Sequence, residues 1–323
     1  MSNALFKFEK ARREKCKASI MIEGLTGRGK SGLALLIAYG LTNDWNKVFD
    51  IDTENKSANL FVGIGCSNGD TFGEFNVGQL TPDIGFKPTN YLAFKDVAVQ
   101  NGAEVVIEDS ISHAWNYKGG ILDLLNEAKA KNTRFAKDSY AAWSDETVAK
   151  EKNELLQLLR DPRCHVITTV RVKEKMEYSY DTDGKAKLVS LGEQQIQQAD
   201  LKYEPDLVLH MLKAGKNKNG VVSHPVAKVI KSRYAIFDEG EEYEFTPALI
   251  EQLRKYLDEG IDPTELLEQQ RQDYIAAVTE YLNEHPNAKN IWKVLKADAG
   301  YKDTKLTEMP LDAIKHIYIK LID

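Results

Sequence analysis

Cysteine is scarce in this chain. Cys16, Cys66 and Cys164 are the only three, far apart and without a CxxC pair. That argues against a disulfide framework or a zinc site and suits a reducing compartment. No apolar run reaches transmembrane length. The opening MSNALFKFEKARREKCK lacks the apolar stretch of a secretory signal. The expectation is a soluble, cytoplasmic chain with no membrane partner. Neither sign of charge dominates, since 43 basic and 49 acidic side chains leave a formal charge of −6. Such a total neither attracts nor excludes nucleic acid, so only local patches can argue for it. The 6 histidines show no metal-ligand spacing. Internal repeats and low-complexity tracts are also missing. What remains is a chain of 323 residues, 42% hydrophobic, able to bury one large core and a smaller appendage.

Strand and helix patterns alternate from Lys17. KASIMIE is a short apolar run ending at a glycine-rich turn, and SGLALLIAYGL reads as a helix covered on most sides. KVFDID, AEVVIEDS and CHVITTV read as further buried strands, with a short strand around residues 75–77 and a helix over 89–100. Strands separated by helices predict a mostly parallel sheet with helices on both faces. After Val170 the pattern becomes hairpins. VKEKMEYSY and KAKLVS flank the turn DTDG, and LVLHMLK and PVAKVIK flank AGKNKNG. From Thr246 the pattern is helical, punctuated by Pro and Gly. The predicted organisation is an N-terminal arm (1–16), an α/β core (17–245) and a helical C-terminal module (246–323).

The chemistry concentrates in Gly24–Ser31, which reads GLTGRGKS between a strand and a helix. A phosphate-cradling loop needs glycines so that backbone N–H groups can face phosphate oxygens. Gly24, Leu25, Thr26, Gly27, Arg28, Gly29, Lys30, Ser31 and Gly32 are therefore the predicted nucleotide-binding residues. Lys30 would reach the β- and γ-phosphates, and Ser31 would hold Mg²⁺. The helix presents its positive end to the same anion. By chance this pattern arises in roughly one chain of this length in a hundred, and fewer such accidents fall between a strand and a helix.

Asp109 ends a buried strand, where a carboxylate can support Mg²⁺ from across the loop. Its neighbour Glu108 competes for that role from the opposite strand face, and Asp109 is favoured. Glu54, just after the second strand, could polarise an attacking water. Spacing alone reads it as one more loop glutamate beside Asp50 and Asp52. Between Leu207 and Phe237 lie Lys213, Lys216, Lys218, Lys228, Lys231 and Arg233, with no acid. This is an electrostatic footprint for a nucleic-acid backbone. Trp115, Tyr117, Phe135, Tyr140 and Trp143 follow Asp109 in a polar stretch. Bases could stack there, although packing on the core is the commoner fate of such rings. In the C-terminal module, acids outnumber bases, which makes a poor nucleic-acid tail. Its residues Ile291, Trp292, Leu295, Ile314, Ile317 and Leu321 recur at helical spacing and predict a small bundle core, with a protein-binding surface as the sharper reading.

The order GLTGRGKS, FDIDTEN, VVIEDSISHAW, HVITTVR resembles the core of RecA-like ATPases. EDSISHAW, HVITTVR and KYEPDLVLHM further resemble phage-encoded ATPases of the Sak-type single-strand-annealing and recombination group, over roughly residues 17–240. The resemblance implies a Mg²⁺-dependent ATPase acting on single-stranded DNA in recombination, in a bacterial host's cytoplasm, as a homo-oligomeric ring or filament. It makes Glu54 the catalytic glutamate, maps the strand-end Asp-Ser onto Asp109 and Ser110, and puts Thr169 and Arg171 where a γ-phosphate sensor sits. Lys231 and Arg233, the K-x-R of VIKSRY, would reach a neighbouring subunit's nucleotide. On spacing alone they form a basic strand face. A DnaB-like replication motor and a nucleotide-gated scaffold with little hydrolysis are the alternatives.

Overall fold

The computed structural model describes residues 10–65, 71–138, 140–180, 186–213 and 224–322. The chain divides into two compact units, one of residues 16–257 and one of 1–15 with 258–323.

In the first unit, nine strands form a mixed, mostly parallel sheet. They are β1 (Ser19–Gly24), β2 (Val48–Asp52), β3 (Asn76–Gln79), β4 (Val105–Asp109), β5 (His165–Tyr180), β6 (Ala186–Gln195), β7 (Leu207–Lys213), β8 (Val226–Ser232) and β9 (Glu242–Glu244). Their order is β3-β2-β4-β5-β1-β7-β8-β9, with β6 paired to β5. The pairs from β3 across to β7 are parallel, and β7–β8, β8–β9 and β5–β6 are antiparallel. The apolar alternation of the buried strands sends Ile20, Ile22, Val105 and Ile107 to one face and Met21, Val106, Val166 and Val208 to the other.

The helices are α1 (Lys30–Thr42), α2 (Pro88–Gln100), α3 (Ser112–Asn116), α4 (Ile121–Lys131), α5 (Thr133–Lys137), α6 (Glu146–Leu158), α7 (Pro247–Leu257), α8 (Pro263–Glu284), α9 (Ala288–Asp298) and α10 (Leu311–Ile322). Helices α1 and α7 cover the first face, while α2, α4 and α6 cover the second. α1 lies between sheet and α7, which is why its sequence is apolar on nearly every side. Ile250, Leu253 and Leu257 of α7 are buried in the same core as Leu33 and Ile37. The first unit therefore runs on through α7 to Leu257, past residue 245 where the change to helical pattern set the expected boundary.

β5 is one strand of 16 residues that leaves the parallel sheet and continues as the first arm of the β5–β6 hairpin. The expected break after Val170 is absent because the backbone stays extended through it. In the second unit, Val278, Trp292, Ile314, Ile317 and Leu321 form a small core with Leu295 packed against it. Ile291 was expected among them. It stands 54% exposed, one residue off the face that buries Trp292. No helix among the described residues is long and apolar enough to cross a membrane.

Candidate nucleotide-phosphate site

Parallel strands bring the loop after β1, the segment after β2, the end of β4 and the point at Arg171 where β5 leaves the parallel sheet to one edge. Gly24 closes β1 against β7, and a Cβ there would lie 2.9 Å from Met211 Cβ. Gly27 and Gly29 take φ of 77° and 91°, which a side chain resists. Gly29 is the N-cap of α1, makes no side-chain cap and is followed by no acid in the first turn. The amides of that turn are left for an anion. Lys30 is 8% exposed, and its Nζ donates to the carbonyls of Gly24 (3.1 Å) and Leu25 (3.2 Å). Burial holds its pKa below the ordinary lysine value, with Asp109 and Glu54 pulling it back up. Arg28 turns outward to the Leu212 carbonyl.

Facing the loop is Asp109. Its Oδ2 accepts from the Ser31 hydroxyl and its Oδ1 from Thr169. Burial and the charge of Glu54 raise its pKa, against those hydrogen bonds and Lys30. Glu108 faces the other core, 3.2 Å from Lys95 Nζ. Of the two neighbouring acids, Asp109 is the one that meets the loop serine.

Glu54 reaches the same edge from β2. Its Oε1 accepts from Arg171 Nε (2.9 Å) and lies 2.7 Å from Nη2. Thr53 anchors this segment: its N–H donates to the Asp109 carbonyl at 2.8 Å, and its hydroxyl accepts from Ser110 N–H at 2.9 Å. The hydroxyl also lies 2.7 Å from His113 Nδ1. Burial, with Arg171 nearby, pushes His113 down to about 4, so the ring is neutral near pH 7. The Asp109–Ser110 peptide is cis. Asp52 accepts from Glu54 N–H and Gln79. Asp50 is 3% exposed, with no partner for Oδ1. Burial, then Asp109, Asp52 and Glu54, push its carboxyl well above the usual range.

These groups border one cavity of about 250 Å³ lined by Thr26, Gly27, Gly29, Lys30, Ser31, Gly32, Glu54, Asp109 and Arg171. Its remaining wall is apolar: Leu33, Leu36, Phe61, Ile64, Phe72 and Pro225. Phe61 lies against Gly32, where an added Cβ would be 3.1 Å from its ring. Nothing in the sequence marks this wall, since Phe61, Ile64 and Phe72 come from an irregular excursion with no periodicity.

Lys231 and Arg233 are elsewhere. Ser232 pairs with Leu207, and Leu207 pairs with Ile20 near the start of β1. Both cations therefore sit at the end of the sheet opposite the loop. Lys228 lies in β8, while Lys216 and Lys218 fall outside the described residues. Of the aromatics after Asp109, Trp115, Phe135 and Trp143 pack against the second core. Tyr117 and Tyr140 are 48% and 86% exposed. Packing on the core, the commoner fate of such rings, holds for three of the five, and Tyr117 and Tyr140 are left as the exposed rings on which a base could stack.

The donor set suits Mg²⁺. Ser31 and Asp109 supply hard oxygens, and this ion keeps few protein ligands beside water and phosphate oxygens. Among the described residues no cluster of three His, Cys, Asp or Glu side chains could hold a metal by itself. No protein-family model matches the chain and no curated protein matches it.

Proposed function

We propose that this chain is a RecA-like ATPase that binds and hydrolyses ATP with Mg²⁺ and acts on single-stranded DNA in phage-type recombination. One observation carries the ATPase reading: Lys30, Ser31, Asp109, Glu54 and Arg171, brought to one edge of the sheet by β1, β4, β2 and β5, border a single cavity beside an uncapped helix N-terminus. The loop amides and Lys30 would bind the phosphates. Ser31 and Asp109 would hold Mg²⁺, which when bound neutralises phosphate charge. The apolar wall with Phe61 has the character of a surface for a base. Glu54 is the carboxylate placed to orient water. Arg171 holds it in an ion pair, so phosphate that draws Arg171 away frees Glu54 to accept a proton.

Action on DNA is supported by the acid-free stretch from Leu207 to Phe237. Assembly is supported by the location of Lys231 and Arg233, too far from their own loop to serve it and able to meet a neighbour's nucleotide. The test is ATP turnover with and without single-stranded DNA, followed by sizing in each nucleotide state. Turnover stimulated by the strand, in an oligomer, is expected. Slow turnover indifferent to the strand would favour a nucleotide-gated scaffold, and directional unwinding of duplex by a hexamer would favour a replication motor.

A further inference from the structure

Residues 110–113 follow Asp109 out of β4 and start α3, and neighbouring elements hold them from several directions. The Tyr91 hydroxyl of α2 donates to the Ser110 carbonyl at 3.1 Å. Ile111 N–H donates to the Thr169 carbonyl at 3.1 Å, and Gln197 Nε2 donates to the Ile111 carbonyl at 2.7 Å. Ser112 Oγ accepts the Arg171 N–H at 2.9 Å. His113 completes the set, with Nδ1 2.7 Å from the Thr53 hydroxyl. It is 4% exposed, and its ring packs against Phe86 and Tyr117 with centroids 5.2 and 4.4 Å away.

The Thr53 hydroxyl decides which nitrogen of His113 carries the hydrogen. It has one proton to give and two carbonyl acceptors within reach, Asp109 at 3.1 Å and Ser110 at 3.3 Å. One of its lone pairs takes the Ser110 N–H. The second lone pair is what remains for the imidazole, so the tautomer that satisfies all of these groups is the Nδ1–H donor. The ring is neutral near pH 7. Nε2 is then a bare acceptor, buried and without a hydrogen-bond partner among the described residues, which is costly. A leucine would fill the same space without that cost, so packing does not account for a histidine here. What the histidine supplies is the Nδ1–H on Thr53.

We infer that His113 is a positioning residue for Glu54, holding the Thr53 hydroxyl through Nδ1 and so fixing the backbone from which the Glu54 carboxylate reaches the cavity. Thr53 staples the ends of β2 and β4 together, since its N–H and its hydroxyl both meet the Asp109 carbonyl. The Asp109 carboxylate has ties of its own on Ser31 and Thr169. The Glu54 carboxylate is paired with Arg171, a pair that phosphate is proposed to open. Once Arg171 turns to phosphate, the anchored backbone is what keeps Glu54 aimed, and a misplacement of about 1 Å can cost on the order of a hundredfold in rate. Neither Thr53 nor His113 lines the cavity, so the effect belongs in turnover and not in nucleotide binding. This role rests on the proposed ATPase and adds to it a residue that acts from behind the cavity wall.

The experiment uses the full chain with Mg-ATP, reading kcat and KM beside the affinity for a fluorescent ATP analogue. His113→Leu keeps the bulk and removes the donor. Its kcat should fall at least tenfold, with KM and analogue affinity within threefold of wild type. His113→Asn places an amide N–H near the position of Nδ1 and should recover kcat to within threefold of wild type. His113→Gln reaches toward the position of Nε2 instead and should be as slow as the leucine variant. Thr53→Val removes the partner, and adding His113→Leu to it should slow turnover by less than a further twofold. Unchanged kcat in His113→Leu, measured against an active wild type, would overturn the inference and leave the ATPase reading standing. A parallel fall of kcat and affinity would do the same. Should the leucine variant not fold, the two amides decide: equal kcat values for His113→Asn and His113→Gln overturn the inference, because a residue that only supports the fold does not distinguish Nδ1 from Nε2. A wild type without ATP turnover, with or without single-stranded DNA, would sink the ATPase reading and the role of His113 together.

Discussion

Glu108 and Asp109 are consecutive acids in one strand, 0% and 2% exposed, yet they meet opposite surroundings. Glu108 points to the α2 face, where Lys95 supplies a full opposing charge and is itself tied to the Leu158 carbonyl at 2.7 Å. Asp109 points to the loop and is met by two neutral hydroxyls, with Glu54 among the charges that bear on it. The first acid has its countercharge within the fold, though burial still raises its pKa against the pull of Lys95. The second belongs to an edge where Asp52, Glu54 and Asp109 outnumber Lys30 and Arg171, which leaves room for a cation brought from outside.

The sharpest way to break this comparison is to neutralise each acid in turn. Glu108→Gln leaves Lys95 charged and buried without its partner, and should cost about 3–5 kcal/mol in urea unfolding. Asp109→Asn should change stability by no more than about 1 kcal/mol and instead lower Mg-ATP turnover at least tenfold. Equal stability losses from the two would erase the distinction.

Asp50 sharpens it through pH. Its raised pKa means that the folded chain holds a proton there that the unfolded chain releases near an ordinary aspartate value of about 4. The folded state is favoured by this group in acid, and that contribution is lost as pH rises toward the folded pKa. Asn carries no such proton. Unfolding at pH 5 and pH 7 should therefore show the wild type losing ground to Asp50→Asn, by up to about 1.4 kcal/mol per pH unit. A difference that stays flat with pH would mean Asp50 is not a buried, protonated acid.

Glu54→Gln should keep nucleotide binding while turnover falls at least tenfold, on the order of 1.4 kcal/mol in barrier. Binding and turnover falling together would make Glu54 structural. The smallest effect concerns DNA. Neutralising Lys216 and Lys218 should flatten the salt dependence of single-strand affinity by about 0.7 in log–log slope for each lysine that meets a phosphate. An unchanged slope would move the strand's path toward Tyr117 and Tyr140.

The loop was legible because GLTGRGKS combines glycines that the local backbone demands with a lysine and a hydroxyl that phosphate and Mg²⁺ call for, all at fixed spacing. Alternation along VVIEDS also said that Glu108 and Asp109 face opposite ways. It could not say which face met the loop, since that depends on α1 crossing the sheet on Asp109's side. Nor could it place β5 between β1 and β4, the arrangement that brings Thr169 to Asp109 and Arg171 to Glu54. The Phe61, Ile64 and Phe72 wall was hidden by aperiodic sequence, and Ile291 was misjudged because helical spacing leaves an apolar residue at the margin of a buried face. Lys231 and Arg233 stand in the sequence as a pair on one strand, but their partners, the carbonyls of Tyr203 and Pro205 and the carboxylate of Asp206, come from a different segment of the chain.

The central claim is that the edge around Lys30 binds and hydrolyses ATP. The most direct measurement is equilibrium binding of a fluorescent ATP analogue together with steady-state turnover, on the wild type and on Lys30→Ala. Removing the only lysine among the described residues that line the cavity should collapse both affinity and turnover, with the unfolding midpoint little changed. Wild-type binding and turnover by Lys30→Ala would contradict the account.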